Sequence, residues 1–90
     1  MIKIVVIDQH PVIRVAFDLF FKDDSKITLV KTLQNASDAF DYLASNEVDV
    51  VISEIDLPDL NGITTLRAIK KSYANTEVIM FSSQPEEVYA

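Results

Sequence analysis

The sequence predicts an α/β fold, a doubly wound parallel sheet with helices on both faces, built as one domain. Apolar, β-branched segments alternate strictly with segments of helical periodicity along the 90 residues, in the order β-α-β-α-β-α-β-α. Such alternation is typical of a parallel sheet. The length fits one small domain, and an apolar share of 49% is that of a globular protein. We find no internal repeat, low-complexity segment or linker in the sequence.

The first strand and the first helix are predicted from two different spacings of apolar residues. Residues 1–7 are almost wholly aliphatic, with Lys3 as the one charge, as expected for a strand buried on both faces. Pro11 occupies the first position of the following helix. The apolar spacing of that helix predicts that one stripe faces the core, namely Ile13, Ala16 or Phe17, and Phe20. The opposite face is predicted to be exposed and contains Arg14, Asp18 and Lys22.

The remaining elements follow from the same reasoning. Residues 27–33 form a predicted edge strand, interrupted by Lys31. Residues 35–45 form a predicted helix that Asn35 or Ser37 can cap. We further predict strands at residues 48–55 and 77–81, a helix at 63–73, and the first turn of another helix at 86–90.

Composition excludes several classes of site. The sequence contains no Cys, so a disulfide scaffold, a thiolate zinc site and a cysteine nucleophile are excluded. Gly62 is the single glycine, so neither a Walker phosphate loop nor a Rossmann glycine fingerprint can form. A net charge of −6 argues against nucleic-acid binding by this segment. With no run long enough to cross a bilayer and no secretory signal, we expect a soluble, cytoplasmic domain.

Oxygen-bearing side chains follow three of the four predicted strands. Asp8 and Gln9 follow the first strand, Glu54 lies at the end of the third and is followed by Asp56, and Ser82 follows the fourth. Ligands of open α/β sheets bind at the carboxyl ends of the strands. Two carboxylates and a backbone carbonyl suit Mg²⁺, and a nearby hydroxyl can bond a phosphoryl oxygen. The alternative is that these acids only cap helices or solvate loops.

Three stretches of the sequence resemble the motifs of response-regulator receiver domains, in the same order. Residues 4–14 are similar to the opening of receivers that precede a LuxR-type helix-turn-helix. Residues 49–62 resemble the phosphorylation-site segment, and residues 78–83 the strand that ends in a switch Thr or Ser. The resemblance covers the whole chain. It implies a flavodoxin-like fold and a non-enzymatic module of a two-component system, for signalling and dimerisation, that controls transcription.

The resemblance also implies a role for each site residue. Asp8 matches the first residue of the acidic pocket and is a metal ligand. Gln9 stands where the family usually has a second Asp. Glu54 stands at the phosphoacceptor Asp, and the backbone carbonyl of Asp56 completes the metal shell. Ser82 matches the hydroxyl that follows the phosphoryl group during activation.

Two departures from the family pattern change the expected function. Glu54 extends its carboxylate by about 1.5 Å, one C–C bond, and a misplacement of that size can cost about a hundredfold in rate. We therefore expect no ordinary aspartyl phosphorylation, and a bias towards the active state from the standing charge of Glu54. Gln9 removes one carboxylate from the pocket, so we expect weak or absent Mg²⁺ binding at Asp8, Glu54 and Asp56.

The resemblance also implies which partners the domain has and how much of the domain residues 1–90 contain. The partner is a sensor histidine kinase or another signalling protein, DNA is contacted only through a separate output domain, and no membrane is involved. Residues 1–90 are expected to be a receiver domain that is incomplete at its C-terminal end, because the family has a fifth strand. The exposed fourth strand would then favour a homodimer or a segment-exchanged oligomer.

Two other functions remain as alternatives. A pseudo-receiver would act only as a protein-interaction domain, and a comparison of partner binding with and without a phosphodonor distinguishes it. A Mg²⁺-dependent phosphohydrolase of the haloacid-dehalogenase type also begins with an apolar strand that ends in Asp. That family needs a second Asp two residues later, where this sequence has His10.

Overall fold

The structure is a computed structural model, and it describes residues 1–82. Its strands and helices alternate as the sequence predicts, in the order β1 (Ile2–Ile7), α1 (Pro11–Phe21), β2 (Ile27–Leu33), α2 (Ala36–Leu43), β3 (Val50–Glu54), α3 (Gly62–Ser72) and β4 (Glu77–Phe81). The predicted bounds of β2 and β4 are confirmed, and the other elements differ at their ends. The helix predicted at residues 86–90 lies outside the described residues.

The strands form one parallel sheet in the order β2-β1-β3-β4. The predicted α/β fold and the edge position of β2 are therefore confirmed. The chain moves from β1 to β2 on one side and then crosses back to β3 on the other. This change of direction places the switch point between β1 and β3, where open α/β sheets bind ligands.

The hydrophobic core lies against β1 and β3. Residues 4–7 of β1 are all buried. Helices α2 and α3 cover one face of these strands through the buried side chains of Ala39, Leu43 and Ile69.

Helix α1 packs less deeply than the sequence predicts. It contains no buried residue. Ile13 and Phe17 of the predicted inward stripe are half-buried, which selects Phe17 over the exposed Ala16. Phe20 is 79% exposed, so that part of the prediction is wrong. Phe17 instead contacts the ring of Phe81, with the ring centroids 5.6 Å apart. The helix is apolar on nearly every side, so periodicity alone does not select its buried face.

Within residues 1–82, we find no helix with the length and apolar character that crossing a bilayer requires.

Candidate functional site

Two carboxylates lie side by side at the carboxyl ends of the central strands. Ile7 of β1 pairs with Ser53 of β3, so Asp8 and Glu54 are the next residues along neighbouring strands. Their exposed fractions are 0% and 1%. A carboxylate is costly to remove from water unless it is paired or hydrogen-bonded. The two acids therefore define a site at the switch point of the sheet.

The turn that follows β1 surrounds the Asp8 side chain. Asp8 Oδ1 accepts hydrogen bonds from the backbone N–H of His10 at 2.7 Å and from His10 Nδ1 at 2.8 Å. The Asp8 carbonyl oxygen accepts from Arg14 Nη1 at 2.7 Å. Arg14 is half-buried rather than exposed as predicted. These bonds fix Asp8 at the start of α1 through Oδ1 and leave Oδ2 for another partner.

The Glu54 carboxylate turns back onto the loop that follows β3. Glu54 Oε1 accepts from the backbone N–H groups of Ile55 at 3.1 Å and Asp56 at 3.4 Å. Among the described residues, Glu54 Oε2 and Asp8 Oδ2 are the buried side-chain oxygens without a hydrogen-bond partner. Buried polar atoms in folded proteins are almost always partnered. Two such acidic oxygens at the ends of adjacent strands have the donor chemistry that a divalent cation takes.

Gln9 is hydrogen-bonded to the third predicted metal ligand, the backbone carbonyl of Asp56. Its side-chain Nε2 donates to the Asp56 carbonyl oxygen at 3.2 Å. Within residues 1–82, no group of three or more His, Cys, Asp or Glu side chains is placed to hold a metal ion. Asp8, Glu54 and the Asp56 carbonyl offer oxygen atoms of the kind that Mg²⁺ takes, with two carboxylates rather than three. When bound there, Mg²⁺ would offset part of the combined negative charge of the two acids and a phosphoryl group.

Gly62 is needed because two segments approach each other closely, and not for its conformational freedom. Its φ is not positive, but a Cβ built on it would lie 2.6 Å from the Ile55 carbonyl oxygen and 2.5 Å from Met80 Cε. The Gly62 N–H also donates to that same carbonyl at 2.7 Å. This pair closes the base of the loop at residues 55–61, which we name the site loop.

Asp59 in the site loop makes contacts with α2 that the sequence reasoning missed. Its Oδ1 accepts from the N–H of Ala36 and its Oδ2 from that of Ser37, both at 2.9 Å. Desolvation alone would raise the pKa of Asp59, but these two donors, with the N–H groups of Asp59 and Leu60, hold the pKa below its ordinary value of 3.8. The sequence shows an acid in the loop after the third strand and a helix predicted to begin near residue 35. Only the fold shows that the acid contacts the start of that helix.

Ser82 lies beyond the end of β4. It follows Phe81, which is the register partner of Glu54. It also lines an apolar cavity of about 360 Å³ between α1 and β4, together with Ile13, Ala16, Phe17, Phe20 and Phe81. The fourth strand thus ends beside the strand that contributes Glu54, as the third motif of the sequence implies.

Comparisons with known proteins identify the fold and the family. The Fimbriae Z protein of Salmonella typhimurium is 32% identical over 88 residues, which is 98% of this chain and 42% of that protein. The signal receiver domain of an HD domain-containing protein from Pseudomonas fluorescens Pf-5 superposes with a TM-score of 0.84 at 32% identity, over 93% of this chain and 66% of that one.

A third comparison concerns a metal-bound structure. The response regulator protein TrrA from Thermotoga maritima, in complex with Mg²⁺ and BeF, superposes with a TM-score of 0.81 at 24% identity, over 96% of this chain and 73% of that one. The chain spans less than half the length of the curated relatives that it matches. The family model of the response regulator receiver domain matches residues 4–90 of this chain. With the parallel sheet and the paired acids at its switch point, this match shows that the chain belongs to the response regulator receiver domain family.

Proposed function

We propose that this domain is an atypical receiver of a two-component response regulator, which signals and dimerises to control a transcriptional output without ordinary aspartyl phosphorylation. Receiver domains are signalling modules rather than enzymes, so a phosphohydrolase is not proposed. The transcriptional output is supported by the similarity of residues 4–14 to receivers that precede a helix-turn-helix. In this proposal a sensor histidine kinase or another signalling protein is the partner, and DNA binds through a separate domain.

The position of the Glu54 carboxylate carries the proposal. One of its oxygens accepts from Ile55 and Asp56, and the other is buried without a hydrogen-bond partner. In-line phosphoryl transfer needs a nucleophilic oxygen placed within a fraction of an ångström. An oxygen displaced by one methylene and held by the loop is poorly placed for attack. Its charge of one unit nevertheless resembles part of the charge of a phosphoryl group.

The Gln9 amide supports the same conclusion for the metal. It adds a neutral donor where a carboxylate would attract Mg²⁺, and it already bonds the Asp56 carbonyl. We therefore propose that Mg²⁺ binds weakly. The same bond favours a second candidate function, a pseudo-receiver that binds its partner without any phosphoryl chemistry.

Restoring the acceptor tests the proposal. Wild type, Glu54→Asp, and Gln9→Asp combined with Glu54→Asp are incubated with acetyl phosphate and Mg²⁺. In a successful transfer, the carboxylate oxygen of residue 54 attacks phosphorus and acetate leaves. We expect the double variant to gain an acid-labile phosphoryl group, visible by intact mass spectrometry, and wild type to gain none. Glu47→Asp is the matched control, because Glu47 is exposed and precedes β3, at the end of that strand opposite to Glu54.

An acid-labile phosphoryl group on Glu54 of wild type would overturn the proposal. The two candidate functions are separated by partner binding. If binding to the kinase changes when a phosphodonor is added to wild type, the pseudo-receiver is excluded.

A further inference from the structure

The first turn of α2 obtains its hydrogen-bond acceptors mainly from the site loop. A helix begins with N–H groups that have no partner within the helix. The N–H of Ala36 bonds Asp59 Oδ1, that of Ser37 bonds Asp59 Oδ2, and that of Asp38 bonds Asn35 Oδ1. Two of the first three donors of α2 are therefore satisfied by a single carboxylate that is distant in sequence.

The same loop determines the surroundings of Glu54. Its first two residues donate both hydrogen bonds to Glu54 Oε1, and the Asp56 carbonyl receives the Gln9 amide. The base of the loop is closed by the bond from Gly62 to Ile55. Its tip is held to α2 by Asp59. A displacement of the tip would therefore move the donors and the carbonyl that line the site.

We propose that Asp59 is a positioning residue, whose two-oxygen cap on α2 fixes the site loop and with it the hydrogen bonds to Glu54. The carboxylate is well suited to this role. It accepts one N–H with each oxygen, and the negative charge lies at the positive end of the helix. Ala36 is 1% exposed, so its N–H has no access to water as a substitute partner.

Amide hydrogen exchange, followed by NMR without metal or phosphodonor, tests the positioning role. In Asp59→Ala we expect the amides of Ile55 and Asp56 to exchange about fivefold to tenfold faster, the local opening expected from the loss of one helix cap. The amide of Val6, in the buried centre of the sheet, reports global unfolding and is expected to change less. Asp41→Ala is the matched control, because it removes an exposed acid from the same helix away from its start.

Asp59→Asn is the conservative variant, because it retains one acceptor oxygen. We expect it to restore part of the slow exchange at Ile55 and Asp56. The inference fails if Asp59→Ala accelerates only Ala36 and Ser37, or if it accelerates Val6 to the same degree. It rests on the proposed function only in treating residues 55–61 as the site loop, so this failure is distinct from a failure in the acetyl phosphate experiment.

Discussion

Gln9 and Asp56 are joined across the mouth of the candidate site, where the Gln9 side-chain amide donates to the Asp56 backbone carbonyl at 3.2 Å. The bond connects the segment after β1 to the segment after β3. In a pocket with an acid at that position, a metal ion would join the same two segments. The amide thus gives this receiver a connection that needs no metal.

Gln9→Asp is expected to raise the affinity for Mg²⁺ by about tenfold, because it adds a carboxylate and removes the donor to Asp56. Titration with Mg²⁺, observed through the amide shifts of Asp8 and Ile55, measures the change. Gln34→Asp is the control, since it adds the same charge at an exposed position after β2. Equal affinities for Gln9→Asp and wild type would contradict the expectation.

Gly62→Ala is expected to destabilise the protein by about 1–3 kcal/mol, because the added Cβ would overlap Ile55 and Met80. Helix propensity alone would favour Ala over Gly by about 1 kcal/mol. The sign of the change in the free energy of unfolding therefore shows whether steric overlap or helix propensity dominates. Chemical denaturation measures the free energy of unfolding. Thr64→Ala, at an exposed position of the same helix, is the control, and a more stable Gly62→Ala variant would show that the loop can relax.

Asp59 is expected to make stability depend on pH below neutrality. The folded-state pKa of Asp59 is lower than its ordinary value of 3.8, so its stabilisation is complete above that value. The stabilisation is lost as the pH falls through the lower, folded-state pKa. Asp59→Asn should therefore be less stable than wild type by about 0.5–1 kcal/mol at pH 7.

Denaturation of wild type and Asp59→Asn between neutral and acidic pH measures this difference. The gap in the free energy of unfolding should narrow as the pH falls through the folded-state pKa. Asp41→Asn removes a carboxylate from α2 outside its first turn and is expected to change stability less. If the difference in the free energy of unfolding stays constant down to the lowest pH at which both proteins are folded, the charge of Asp59 does not stabilise the start of α2.

Two isoleucines of α3 are expected to differ sharply in their contribution to stability. Ile69 is 0% exposed and belongs to the core, whereas Ile63 is 49% exposed. Ile69→Ala should cost about 2–5 kcal/mol through the cavity that it leaves. Ile63→Ala, as the control on the same helix, should cost under about 1 kcal/mol. Thermal or chemical unfolding of both variants checks the assignment of the buried face of α3.

The fold was largely predictable because its signals are local. The bounds of β2 and β4 follow from β-branched segments that end at turn-forming residues, and the alternation of elements indicates a parallel sheet. Asn35 is confirmed as one of the two predicted caps of α2. Helix α1 shows the limit of this reasoning. Its apolar residues surround the helix, so the periodicity did not show which side contacts the sheet, where Phe17 meets Phe81.

The sequence by itself determined the order of strands and helices and placed Asp8, Glu54 and Ser82 at or just after strand ends. It did so because periodicity and turn chemistry act between residues that are close in the chain. Only the tertiary structure decided that Gln9 bonds Asp56 and that Asp59 caps a helix formed by residues 36–43. Those contacts depend on strand order and loop path, which bring together groups whose separation in sequence carries no periodic signal.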